Sequence, residues 1–483
     1  MRPPGDVVVV GHGMAGARVV EDIRARDGAA RITVLGAEPH PPYNRVLLSA
    51  VLAGRATVGD IALGGPSDVD VRAGVPAVAI DRRRRLVLAA DGAELRYGAL
   101  VLATGSDPVL PPVDGLRPDL PGVAVFRTLD DCRRILARGA RRAIVLGGGL
   151  LGLEAARGLA GRGVDVTVVH AGPFLMERQL DPAAGRMLAR IFAGLGVRAF
   201  LDTRTVRVLG SGEFRGLLLA GGRELAGDLL VVACGVRPST GLARATGLRV
   251  RRGIVVDDAM RSVTDPRVYA VGECAEHAGR TYGLVAPAWE QAAVAAARIS
   301  GADPAVRYAG STLVTRLKAA DVELAAMGEA GAHDEDGDGA EVVHFADPAR
   351  GTYKKLVIRD GRLAGAILLG DVSNVGLLTR LYDRGAPVPP DRLGLLFPAV
   401  ADGAAVDAAA ADPAGLPDRA TVCRCNAVSK GAIAACVLAG ARSVTEVADR
   451  TRATTGCGGC ADTVAALVRG LSAHGREPAS VTA

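Results

Sequence analysis

A glycine-rich turn occurs twice in this chain, in the same setting each time. Val7-Val8-Val9-Val10 runs into Gly11-His12-Gly13-Met14-Ala15-Gly16, a helix-compatible stretch to about Arg26 and a second strand-like run at Arg31–Leu35. About 136 residues later, Ala143-Ile144-Val145-Leu146 runs into Gly147-Gly148-Gly149-Leu150-Leu151-Gly152, a helical stretch carrying Glu154, and Asp165–Val169. Each copy reads strand, G-x-G-x-x-G turn, helix, strand, the βαβ unit that binds a dinucleotide. The first glycine permits the tight turn, the second lets a pyrophosphate approach the backbone, and the third lets the helix pack close to the strand. The helix N-terminus then offers free N–H groups and a partial positive charge. The repeat therefore predicts two dinucleotide sites, a flavin nucleotide in one and a nicotinamide nucleotide in the other. Gly11, Gly13, Met14, Ala15 and Gly16 belong to the first, with Glu38 placed to accept from a ribose hydroxyl. Gly147, Gly149, Leu150, Leu151, Gly152 and Glu154 belong to the second. His170 follows the second module's strand, where an acid would favour NAD and an arginine NADP; histidine decides neither.

Cysteine supplies the second strong pattern. Of eight cysteines, Cys132, Cys234, Cys274 and Cys436 are dispersed, and read as buried thiols. The other four form Cys423-Arg424-Cys425 and Cys457-Gly458-Gly459-Cys460. Two close pairs suit a tetrahedral-sulfur site, either [2Fe–2S] or zinc, and Gly456, Gly458 and Gly459 let backbone N–H groups approach the sulfurs. No secretory leader is visible at the N-terminus and no apolar run is long enough to span a membrane, so a reducing, cytoplasmic setting is expected. The net charge of +6 is scattered arginine with little aromatic interleaving, which disfavours a nucleic-acid face.

Beyond about Asp303 the pattern changes. Thr352–Ile358 and Leu363–Leu369 read as strands joined by the turn Arg359-Asp360-Gly361-Arg362. A Pro-, Ala-, Gly- and Asp-rich stretch, 386–418, reads mainly as a linker. The expected fold is α/β: two interleaved Rossmann-like dinucleotide-binding domains, a further α/β domain and a small helical C-terminal module. The expected boundaries are 1–125 and 245–304 for the flavin domain and 126–244 for the nicotinamide domain. The α/β domain takes 305–385, the cysteine module 419–472, and 473–483 is a tail.

Three further stretches carry a resemblance. Tyr43-Asn44-Arg45-Val46-Leu47-Leu48-Ser49, Ala103-Thr104-Gly105-Ser106 and Tyr269-Ala270-Val271-Gly272-Glu273 resemble the pyridine-nucleotide–disulfide oxidoreductase superfamily. The resemblance implies FAD contacts at Arg45, Thr104, Gly105, Gly272 and Glu273, the acid bonding the ribityl chain. It also implies a returning turn beside the nicotinamide at Gly235 and Pro238. Trp289, the only tryptophan, resembles a position leading into the helix beside the flavin, with ordinary packing as the alternative. Leu175–Asp181 and Leu284–Gln291 bring the resemblance closest to the N-terminal half of NAD(P)H nitrite reductase large subunits and to electron-transfer subunits of assimilatory nitrate reductase. The cysteine module, with Val428-Ser429-Lys430-Gly431, resembles the bacterioferritin-associated-ferredoxin-like [2Fe–2S] domain, which implies Cys423, Cys425, Cys457 and Cys460 as ligands.

Two departures shape the expectation. Pro42–Leu52 contains no cysteine, so a thiol relay beside the flavin is not expected. The sirohaem half of nitrite reductase large subunits has no counterpart in these 483 residues. The resemblance therefore implies an NAD(P)H-dependent FAD/[2Fe–2S] reductase delivering electrons to a partner, the catalytic subunit of assimilatory nitrate reductase. A ferredoxin, a rubredoxin or a separate nitrite reductase is the alternative acceptor, and a zinc-stabilised interaction domain the alternative reading of the cysteines.

Overall fold

The computed structural model describes residues 6–331, 339–397, 413–456 and 458–474. The chain divides into two compact units: 1–169 with 203–311, and 170–202 with 312–483.

The first unit is built on parallel sheets. One has five strands in the order Val268–Ala270, Ala99–Leu102, Val7–Val10, Ile32–Gly36, Asp70–Ala73. Val7–Val10 is central and all four valines are buried, which explains an unbroken β-branched run where a half-exposed strand would alternate. The second sheet repeats the design, with Val123–Val125, Leu229–Val232, Arg142–Leu146 and Asp165–Val169 side by side and parallel. Each glycine turn joins a central strand to a helix, Met14–Arg26 in one case and Leu150–Ala160 in the other. The helix Val285–Ser300 carries Trp289, whose ring lies 6.0 Å from the Arg18 guanidinium of the first helix. An antiparallel ribbon of Ser106–Pro108 and Val236–Pro238 marks the two crossings of the chain between the halves of this unit.

The second unit centres on a five-stranded antiparallel sheet in the order Val314–Arg316, Leu324–Gly328, Arg362–Leu369, Thr352–Arg359, Glu341–Asp347. Arg359 pairs with Arg362, leaving Asp360-Gly361 as a two-residue loop with φ of +50° and +67°. Positive φ at both positions is what an Asp-Gly type I′ hairpin requires. Two of the chain's four lysines sit side by side on Thr352–Arg359 and are almost wholly buried. Successive strand residues face opposite sides, and the two lysines find different partners. Lys354 donates to the Leu396 carbonyl at 2.7 Å and pairs with Asp371 at 2.6 Å. Lys355 pairs with Asp181 at 2.9 Å, and Tyr353 donates to the same carboxylate oxygen at 2.6 Å. Asp181 also caps the helix Pro182–Gly194, so this buried pair ties 170–202 to the sheet.

Within the stretch read from sequence as a linker, 388–397 is packed. Val388, Leu395 and Leu396 are buried in the same core as Leu356, Leu368 and Leu378. Its Pro-, Ala- and Gly-rich flanks mask the short apolar run that forms the helix Arg392–Leu396. The cysteine module has its own core, formed by the hairpin of Thr421–Cys423 and Val428–Ser429 and the helices Lys430–Leu438, Val444–Thr451 and Ala461–His474.

Candidate functional site

The two glycine turns match in detail. Gly11 has φ +104° and Gly147 has φ +118°; a side chain there would meet the carbonyl oxygen of Ala103 at 2.2 Å or of Ala233 at 2.4 Å. A Cβ on Gly16 would meet the Gly11 oxygen at 1.9 Å, and one on Gly152 the Gly147 oxygen at 2.1 Å. These outer glycines close the turn and let strand and helix touch. The middle ones differ: a Cβ on Gly13 or Gly149 would meet nothing within 4 Å. Both residues are the N-caps of their helices and neither supplies a side-chain cap. Each turn thus presents open space in front of uncapped helical N–H groups, the environment a pyrophosphate fits.

Around the first turn the polar side chains form one chain of contacts. Glu38 lies just past the strand Ile32–Gly36 and accepts from Tyr43 Oη at 2.6 Å and from Arg45. Arg45 also donates to the Arg127 carbonyl at 2.7 Å, and the Arg127 guanidinium pairs with Glu273, which accepts from Ser106 Oγ as well. Each carboxylate oxygen has a second lone pair, so neither acid is saturated by these donors. Burial raises the Tyr43 pKa, and its bond to Glu38 adds to the rise, so the phenol remains a donor at neutral pH. Gly272 has φ +78° and packs against Ala15, where a Cβ would come within 2.9 Å of the Ala15 side chain. Its N–H donates to the fully buried Gln291 at 2.8 Å. Thr104 Oγ1 donates to the Ser239 carbonyl at 2.7 Å, and the Ser239 N–H donates to the Gly105 carbonyl at 2.9 Å, pinning the crossing ribbon.

Arg127 had no sequence signal, and Ser106, though it lies in the Ala103–Ser106 stretch, was not singled out as a contact; the fold brings both to Glu273. Around the second turn, Glu154 is buried on its helix and Gly235 has φ +97°. His170 belongs to the second unit, where its Nε2 lies 3.3 Å from Glu177.

Cys423 and Cys460 are buried in the core of the C-terminal module, Cys425 packs against that core, and Cys457 lies outside the described residues. Among the described residues no three metal-capable side chains converge closely enough to close a metal site by themselves. A Cβ on Gly456 would stand 2.5 Å from Cys425 Cβ and 3.1 Å from its Sγ, so only glycine lets this backbone pass the sulfur. The donor set is thiolate, which suits an iron–sulfur cluster. The dispersed thiols differ. Burial pushes Cys132 and Cys234 up to about 11 and raises Cys274 as well, leaving them protonated; Cys436 is buried on its helix.

Three family descriptions match consecutive parts of the chain. They are pyridine nucleotide-disulphide oxidoreductase over residues 5–297, the rubredoxin NAD+ reductase C-terminal domain over 314–385, and the BFD-like [2Fe–2S] binding domain over 421–469. FAD, NAD(P)H and a [2Fe–2S] cluster are the cofactors of these domains. Nitrite reductase [NAD(P)H] of Bacillus subtilis is 39% identical over 94% of this chain and 56% of its own length. The assimilatory nitrate reductase electron transfer subunit of the same organism is 36% identical over 96% of this chain and 59% of its own length. The chain thus spans somewhat over half the length of these curated relatives. Among solved structures, the covalent putidaredoxin reductase–putidaredoxin complex superposes with TM-score 0.73 at 26% identity, covering 81% of this chain and 95% of that one. A match across more than half of its residues, on a fold whose two turns have the geometry just described, makes this chain an oxidoreductase of the pyridine nucleotide-disulphide oxidoreductase family.

Proposed function

We propose that this chain takes electrons from NAD(P)H and delivers them, through its own flavin and iron–sulfur sites, to the catalytic subunit of an assimilatory nitrate reductase in the cytoplasm. The observation that carries the reading is the combination in one chain of two matched dinucleotide turns with a [2Fe–2S] module. The chemistry those groups supply is two-electron hydride uptake from NAD(P)H by the flavin and one-electron release by way of the cluster.

The chain's own residues bind and orient. Gly11, Gly13, Met14, Ala15 and Gly16 hold the flavin pyrophosphate, with Glu38 on the ribose. Arg45, Thr104, Gly105, Gly272, Glu273 and Trp289 complete that site in 1–125 and 245–304. Gly147, Gly149, Leu150, Leu151, Gly152, Glu154, His170 and Gly235 hold the nicotinamide nucleotide in 126–244. Cys423, Cys425, Cys457 and Cys460 hold the cluster in 419–472. Arg45 and Arg127 are each paired with an acid, which fixes both guanidinium groups beside the first turn.

The nitrate reductase assignment draws on the name of a relative that is similar over nearly all of this chain. A second reading, delivery to a small ferredoxin-type carrier, is favoured by the likeness to putidaredoxin reductase caught with putidaredoxin. The test is anaerobic reconstitution with each acceptor. NAD(P)H-driven nitrate reduction by the added catalytic subunit supports the first reading. Rapid reduction of a ferredoxin, with the nitrate reductase subunit left oxidised, supports the second.

A further inference from the structure

The thiolate loops of the C-terminal module each touch the five-stranded-sheet domain. In the first pair, Arg424 stands between Cys423 and Cys425 and forms an ion pair with Asp383 at the end of the helix Val375–Arg384. Asp383 is itself held by Thr312 Oγ1 at 2.6 Å. In the second pair, Gly459 precedes Cys460. A Cβ built there would lie 3.3 Å from Arg316 Cζ and 3.4 Å from both Nε and Nη1. Near-equal distances to three atoms of a planar group mean that the guanidinium lies face-on to Gly459. Arg316 ends the edge strand Val314–Arg316. Its Nη1 is buried and has no hydrogen-bond partner among the described residues, an arrangement that buried donors avoid unless an acceptor is missing from view. Gly459 adjoins Cys460, one of the four cysteines read as cluster ligands.

We propose that Arg316 is a positioning residue for the iron–sulfur site: it holds the second ligand loop against the sheet domain and raises the cluster's reduction potential. The inference rests on the reading of 421–469 as a [2Fe–2S] module. Reduction adds one negative charge to a site already built from thiolates. A fixed cation beside it therefore stabilises the reduced form more than the oxidised one, and the buried Nη1 side of the half-buried guanidinium limits screening by water. Arg424 is paired with Asp383; Arg316 has no ion-pair partner among the described residues, which makes it the cation to test.

The experiment is an electron-paramagnetic-resonance-monitored redox titration of the full-length wild type, Arg316→Gln and Arg316→Lys, with iron and acid-labile sulfide assayed on each. The reduction equilibrium of Arg316→Gln is expected to become roughly tenfold less favourable, a fall of about 59 mV for a one-electron couple. Arg316→Lys recovers most of it. The signal comes only from clusters that are present, so partial loading does not blunt the comparison. A wild-type potential in Arg316→Gln overturns the proposal. Loss of the cluster in both variants beside a loaded wild type supports the loop-holding role and overturns the assignment of the potential to charge, because shape rather than charge then matters. Wild-type protein free of iron and sulfide overturns the cluster reading instead.

Discussion

The middle glycines of the two turns separate binding from folding. Gly13 and Gly149 have ordinary extended backbone (φ −82° and −84°) and open space where a Cβ would stand. Gly149→Ala is therefore expected to fold with stability within about 0.5 kcal/mol of wild type. Its methyl group occupies the pyrophosphate approach, so KM for NAD(P)H should rise at least roughly tenfold. Steady-state kinetics with thermal melting checks this; an unchanged KM contradicts the assignment of the second turn. Gly11→Ala should behave differently, since its methyl group would collide with the Ala103 carbonyl at 2.2 Å on a backbone of φ +104°. Loss of folding, seen as loss of soluble protein and bound flavin together, is expected there. The steric demand for glycine at positions 11 and 16 was legible from spacing alone, because the turn's sterics are local. The partners of Glu273 were not, because Arg127 lies 146 positions away in the chain and no motif announces it.

The elements of the second unit are held by buried charge as well as by apolar packing. Lys355 and Asp181 are each 2% exposed. Removing one partner strands the other, so Lys355→Met should destabilise the unit by about 3–5 kcal/mol, read as a lowered unfolding midpoint in denaturant. On the other lysine, burial opposes the charge of Asp371, but hydrogen bonds from Lys354 and Ser373 prevail and hold its carboxyl at about 2, below the ordinary 3.8. A folded-state pKa below the unfolded value gives stability that is complete above about pH 4 and is lost as the pH falls towards 2. Melting temperatures across that window should fall less steeply in Asp371→Asn than in wild type. The strands and the Asp-Gly hairpin of this domain could be read from the sequence, since alternation and turn chemistry are short-range. The packed start of the 386–418 stretch could not, because Leu395 and Leu396 gain meaning only from the core they enter. Nothing in the sequence marked Lys354 and Lys355 as buried, and their partners required the fold.

At the scale of the whole molecule, two nucleotide turns and a cysteine module in one chain are the parts that the proposed splitting of electron pairs would use. Among the described residues no helix is long and apolar enough to cross a membrane. The order of the three matched regions was legible because each carries its own local signature: two glycine turns, an antiparallel hairpin and two cysteine pairs. What receives the electrons is a property of surfaces, and surfaces leave no periodic trace in a sequence. The central claim, that electrons from NAD(P)H reach a [2Fe–2S] site within this one chain, has a direct test. Purified, cofactor-replete protein is mixed anaerobically with NADH or NADPH and followed by visible absorption and electron paramagnetic resonance. The account predicts bleaching of the flavin together with the paramagnetic signal of a one-electron-reduced [2Fe–2S] cluster. A bleached flavin beside a cluster that stays oxidised with NAD(P)H, yet reduces with dithionite, would contradict it.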